Sequence, residues 1–145
     1  FDFTEYSAIH ARFVRLNSEK DNPRVLGIKA VAAGVSGDPP FFALTGIGGT
    51  DGLRGYVSGK YRDRSLLSAQ AEYRHMLTPR MGFAVFGGAS VVDRSLDRLA
   101  AKNIRPAAGI GVRFQLVPQT PVNYRVDYAV GRDGGYFYFS IGEAF

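Results

Sequence analysis

His10 and His75 are the only histidines, and the chain has no cysteine. Neither histidine stands in a zinc-site pattern and no cysteine is present, so no metal site is expected. Without a thiol there is no disulfide framework and no thiolate nucleophile. Serines and aspartates are plentiful, but no glycine-flanked nucleophile elbow holds one of them. Gly48-Gly49 lacks the Lys-Ser/Thr ending of a phosphate-binding loop. The expectation is a protein without covalent chemistry, cofactor or metal: not an enzyme. What remains is charge. Eighteen Lys and Arg against thirteen Asp and Glu give a net charge of +5. The arginines are spread through alternating segments rather than gathered in a tract, which argues against a nucleic-acid partner.

The elements that place these charges are strands. Val122, Tyr124, Val126, Tyr128 and Val130 alternate with Asn123, Arg125, Asp127 and Ala129. Successive side chains of a strand point to opposite faces, so this segment has an apolar and a polar wall. Ala108, Ile110, Val112, Phe114 and Leu116 likewise oppose Gly109, Gly111, Arg113 and Gln115. Ala69, Ala71 and Tyr73 oppose Ser68, Gln70, Glu72 and Arg74, and Phe83, Val85, Ala89 and Val91 oppose Ala84, Phe86, Gly88 and Ser90. Phe137, Phe139, Ile141 and Phe145 share a wall near the end. Near the start, Ile9, Ala11 and Phe13 oppose His10 and Arg12, and Leu26, Ile28, Ala30 and Ala32 oppose Gly27 and Lys29.

These patterns predict about seven to eight strands of roughly ten residues, the length of a tilted bilayer crossing and longer than the usual strand of a soluble domain. No apolar run approaches the roughly 20 residues of a membrane helix. Hydrophobic residues make up 46% of the chain, an ordinary fraction that excludes neither a soluble sheet nor a membrane barrel, whose strands alternate. Eight Tyr, eleven Phe and eighteen Gly suit strands better than helices. Thr78-Pro79-Arg80 and Pro118-Gln119-Thr120-Pro121 read as short turns at one end. The longer segment from Asp93 to Asn103, and the brief Arg132-Asp133-Gly134-Gly135, fall at the other. Asn17 to Pro23 is a further polar connection. The expectation is a single domain over residues 1–145, an antiparallel transmembrane β-barrel portion with one long loop at 37–63.

That loop carries the most specific sequence in the chain, GGTDGLRGYVSGKYRD over 48–63. It resembles the inward-folded loop of the bacterial surface antigen superfamily, the BamA- and TamA-type outer-membrane assembly and secretion barrels. The resemblance extends over most of the chain. Glu72-Tyr73-Arg74, the segment Val85-Phe86-Gly87-Gly88-Ala89, Gly109-Ile110-Gly111-Val112-Arg113 and Arg125-Val126-Asp127-Tyr128-Ala129 stand in the order of the family's strands. Phe139, Ile141 and the terminal Phe145 resemble its C-terminal assembly signal. Two positions depart from the pattern: Gly88 stands where the family has an acid, and Ser90 where it has a glycine.

The resemblance implies that Leu53, Arg54, Gly55 and Tyr56 form a latch inside the barrel. Glu72 would be the partner of Arg54, and Asp127, on the polar wall by parity, would replace the missing second acid. The alternative for Glu72 is pairing with Arg74, Arg113 or Arg125. The resemblance further implies a bacterial outer-membrane location, with lipid and lipopolysaccharide around the barrel. Unfolded outer-membrane or secreted proteins would be clients, and the barrel-assembly machinery a partner. Family barrels have more strands than this chain supplies, so closure would need upstream strands or a homo-oligomer. Two other readings stay open: a passive anchor or pore for an upstream domain such as a lipase-like passenger, and a soluble β-sandwich.

Overall fold

The computed structural model describes residues 1–48, 52–98, 100–117, 119 and 122–142. Among them the alternating segments form strands: β1 (Phe3–Arg15), β2 (Arg24–Gly37), β3 (Thr45–Gly46), β4 (Arg62–Asp63), β5 (Ser65–Met76), β6 (Met81–Asp93), β7 (Arg105–Phe114), β8 (Tyr124–Gly131) and β9 (Gly134–Ile141). Seven of them make one antiparallel sheet in the order β1-β2-β5-β6-β7-β8-β9, and β3 and β4 form a two-stranded ribbon. Every neighbour in the large sheet is also the next long strand in sequence, an up-and-down order of antiparallel pairs.

The sheet is not closed. β1 and β9 are its two edges. With seven alternating strands, the first and last point the same way. Joining them directly would require a parallel seam, which the connections do not supply.

The two faces differ in kind. On β8, Arg125, Asp127 and Ala129 are buried while Tyr124, Val126, Tyr128 and Val130 are exposed. On β7, Ala107, Gly111 and Arg113 are buried and Ile110, Val112 and Phe114 exposed. The covered face, polar by sequence, is the buried one, because the segment between β2 and β5 lies across it. The bare face presents Ile110, Phe137, Phe139 and Ile141, each more than 60% exposed. A soluble sheet has the opposite arrangement.

β1 breaks the pattern. Its register places Ala11 opposite Lys29 and Phe13 opposite Gly27, while Arg12 faces Ile28. Directly paired residues share a face, so the apolar row Ile9, Ala11 and Phe13 lies on the covered side and His10 and Arg12 on the bare side. The sequence pattern of β1 alone gives two walls but not which one joins its neighbour's apolar wall. A one-residue shift exchanges them, and only the pairing with β2 decides.

Residues 38–61 hold a 3-10 turn at Phe41–Ala43 and the strand β3. Ile47, Leu53 and Tyr56 pack with Ala107 of β7, and Tyr61, Leu66 and Val92 border them. This small dry cluster sits towards the end of the sheet where β2 leaves and β5 begins, here the loop end. The opposite, turn end carries residues 16–23 and the Thr78–Arg80 turn. There Leu77 and Thr78 both donate backbone N–H groups to Met81 O. The Pro118–Pro121 turn lies mostly outside the described residues, and so does Phe145.

Candidate functional site

Below the dry cluster the loop delivers one arginine to the middle of the covered face. Leu53 and Tyr56 bury themselves on either side of Arg54, fixing the chain's path. Gly55 lets that path run against the wall. Its φ is +113°, and a Cβ there would come within 3.1 Å of the Gly131 backbone nitrogen. An L side chain is strained at that φ and would also push the loop off the sheet. The contact is reciprocal, since a Cβ on Gly131 would meet Gly55 O at 2.5 Å.

Arg54 sits between two carboxylates from separate strands. Its Nη1 donates to Asp127 Oδ2 at 2.5 Å, and its Nη2 donates to Glu72 Oε2. All three side chains are fully buried. The guanidinium lies flat on the Phe86 ring, 3.4 Å from the centroid, so its apolar face is covered while its edge is bonded. Its Nε is buried without a hydrogen-bond partner.

Each acid also serves further arginines. Glu72 Oε1 accepts from Arg74 Nε at 2.6 Å and from Arg113 Nη2 at 3.2 Å. Asp127 Oδ1 accepts from Arg113 Nη1 at 2.5 Å, and Arg125 Nε lies 3.9 Å from Asp127 Oδ2. The result is a continuous network of two carboxylates and several guanidiniums, shielded from water. Ionised groups buried this way need partners, and this network supplies them from β5, β7, β8 and the loop, with Arg54 Nε left over.

The structure thus brings together Arg54, Glu72 and Asp127, and it joins Arg74 and Arg113 to the same cluster. Glu72 takes Arg54 and, of the three alternatives, Arg74 and Arg113 as well, while Arg125 lies nearest Asp127. The Gly88 position, where the resemblance expects an acid, is filled by backbone: a Cβ there would meet Ala69 O at 2.4 Å. Phe139 and Ile141 lie on the bare face, on the last strand.

Three residues of the site escape sequence reasoning. Phe86 has the covered-face parity, but an aromatic among Ala84 and Gly88 reads as one more apolar residue. Tyr138 donates no sequence signal, yet its hydroxyl oxygen accepts the Gly55 N–H at 2.9 Å. Tyr61 reads as part of a loop motif, but its hydroxyl reaches Asp133 Oδ2 at 2.5 Å.

Among the described residues no group of three or more His, Asp or Glu could hold a metal ion. What the arrangement can do is hold a loop across a sheet by charge. No protein-family model matches the chain, and no curated protein matches it.

Proposed function

We propose that this chain is part of the wall of a bacterial outer-membrane β-barrel, of the kind that assists insertion or translocation of other proteins without covalent chemistry. The observation that carries the membrane reading is the inverted polarity: Arg54, Glu72, Arg113, Arg125 and Asp127 are at most 2% exposed, while large apolar residues alternate along the open side. A continuous exposed apolar face in water forfeits about 25 cal/mol for each Å² that could be buried. Against hydrocarbon the same face is at rest. The dimensions agree. β7, with ten residues, extends about 33 Å at the usual strand rise, and a tilt near 40° reduces this to about 25 Å, the height of a barrel's apolar band. Tyr73, His75 and Phe83 cluster on the bare face towards the turn end, with the rings of His75 and Phe83 5.4 Å apart. Such a group suits the aromatic girdle at a membrane interface.

The two free edges, β1 and β9, have no place in hydrocarbon unless other strands satisfy them. An odd number of additional strands between them keeps every pairing antiparallel. No helix among the described residues is long and apolar enough to cross a membrane, which leaves the strands to do so.

The assembly reading rests on the resemblance of the loop and on the buried Arg54 anchor. The test is Arg54→Ala in the protein's own host, with outer-membrane fractionation and immunoblots of resident barrel proteins. The expected result is recovery of the wild-type chain from the outer membrane only with detergent, and a fall in client barrels in the variant. Release of the wild-type chain into the aqueous fraction defeats the membrane reading. Unchanged client levels with the variant present at its normal amount leave a passive anchor.

A further inference from the structure

β9 is bonded to the sheet on one side only, through β8. The ladder joining β8 to β7 stops early: its last pair at the loop end is Ala108 with Val130. Continued in the same register, Ala107 would face Gly131, the last residue of β8, and Pro106 and Arg105 would face Arg132 and Asp133, the two turn residues between β8 and β9. None of these pairs forms, and Pro106 has no N–H to give. A hairpin of two short strands is marginal by itself, and its last turn depends on whatever holds it.

Two loop tyrosines bridge the outer two of these levels. The Tyr56 hydroxyl donates to Pro106 O at 2.6 Å and accepts from Arg132 N–H at 3.2 Å. One level further out, Arg105 stacks on the Tyr61 ring at 3.6 Å, while the Tyr61 hydroxyl donates to Asp133 Oδ2 at 2.5 Å. Lys60 Nζ lies 3.2 Å from the same Asp133 oxygen. The Tyr56 and Tyr61 rings meet edge to face, with centroids 6.0 Å apart. Each tyrosine therefore touches β7 with one part and the β8–β9 turn with another, and the two brace each other.

We propose that Tyr56 and Tyr61 are surrogate rungs: the docked loop extends the β7–β8 ladder past Val130 and so fixes the outer half of the β8–β9 hairpin, the free edge of the sheet. The loop is a strap with two fastenings. Arg54 holds it at mid-sheet, and the tyrosine pair passes its position on to the terminal hairpin. This depends only on the contacts of Tyr56 and Tyr61 with β7 and the β8–β9 turn and stands apart from the membrane reading.

The test is amide hydrogen exchange on the full chain in detergent micelles, comparing wild type with Tyr56→Phe and Tyr61→Phe. Both substitutions keep the ring and remove only the hydroxyl. Tyr56→Phe should speed exchange at the Arg132 amide by roughly three- to tenfold, the range expected from one net hydrogen bond. Tyr61→Phe should speed exchange at Gly134 and Gly135, and the double variant should spread the effect to Tyr136 and Tyr138. Amides of Glu72 and Asp127, at the Arg54 level, should keep their wild-type rates. Unchanged rates in the hairpin overturn the proposal, and so does a uniform rise that includes Glu72 and Asp127, which would mark general loosening rather than a lost rung. Should either phenylalanine variant fail to fold, Asp133→Asn supplies the same comparison at the outer rung.

Discussion

At the scale of the residue, Arg54 differs from the arginines around it in reaching its acids from a loop, so its bonds hold two pieces of chain together. Glu72 and Asp127 do not depend on it alone. Without Arg54, Glu72 still has Arg74 and Arg113, and Asp127 still has Arg113. Breaking a buried pair costs roughly 3–5 kcal/mol when it strands a charge. Arg54→Ala strands none outright, so its cost should sit near the lower end, about 3 kcal/mol. Glu72→Ala removes the acid shared by Arg54, Arg74 and Arg113 and should cost more than Arg54→Ala. Arg54→Lys should fall between wild type and Arg54→Ala, because an ammonium cannot span both acids in a fork or lie flat on Phe86. Urea unfolding followed by far-UV circular dichroism ranks the three variants. A smaller loss in Glu72→Ala than in Arg54→Ala would show that the network does not share its acids in this way.

At the scale of the element, the outer fastening responds to pH. Asp133 is held below the ordinary carboxylate range, first by the Tyr61 hydroxyl's hydrogen bond and then by Lys60, with burial opposing. A lowered pKa in the folded state means that its contribution is complete above the ordinary value and is lost as pH falls through the folded one. Lys60 and Tyr61 are both raised, each chiefly by its hydrogen bond to Asp133. Their contributions are complete below their ordinary values and lost as pH rises through the raised ones. Arg105 and Tyr136 are the other charged or titratable groups that bear on this clasp. The fastening should therefore be flat across neutral pH and open at both extremes. The Tyr61 ring resonances, followed by NMR against pH, should show an acid step that Asp133→Asn abolishes. A persistent step at the same midpoint in that variant would assign it elsewhere.

Much of this was legible in the sequence at the same scale. Strand existence followed from period two, and the polar wall of β8 gave Asp127 its side before any coordinate. Arg54 and Glu72 were legible as a pair only through the loop motif, since nothing in spacing says that residues 18 apart along the chain meet. The side on which β1 presents Ile9 and Phe13 was not legible, because it depends on register with β2. The tyrosine rungs were not legible either: they exist only where one ladder ends, and ladder length is a property of two strands together.

At the scale of the whole molecule, the two faces make opposite demands on a new charge, and this separates a membrane wall from a soluble sheet. Ile110 lies midway along β7 on the bare face, 63% exposed, and Phe114 at that strand's turn end is 44% exposed. Ile9 is 64% exposed but on the covered side of β1. Were the bare face in water, arginine at Ile110 would be a surface change within about 0.5 kcal/mol of neutral and would improve solubility. In a bilayer, arginine at the midplane costs about 2–4 kcal/mol and near the interface about 0–1. Ile110→Arg should therefore destabilise the chain folded in lipid vesicles by several-fold more than Phe114→Arg. Ile9→Arg should sit near neutral, its charge remaining on the watered side where Lys29 already stands. The comparison is read from urea titrations in vesicles, with tryptic protection reporting the folded fraction. A gradient from Ile110 to Phe114, absent at Ile9, is the signature of hydrocarbon against one face only. Three equal values would place water on both sides of the sheet.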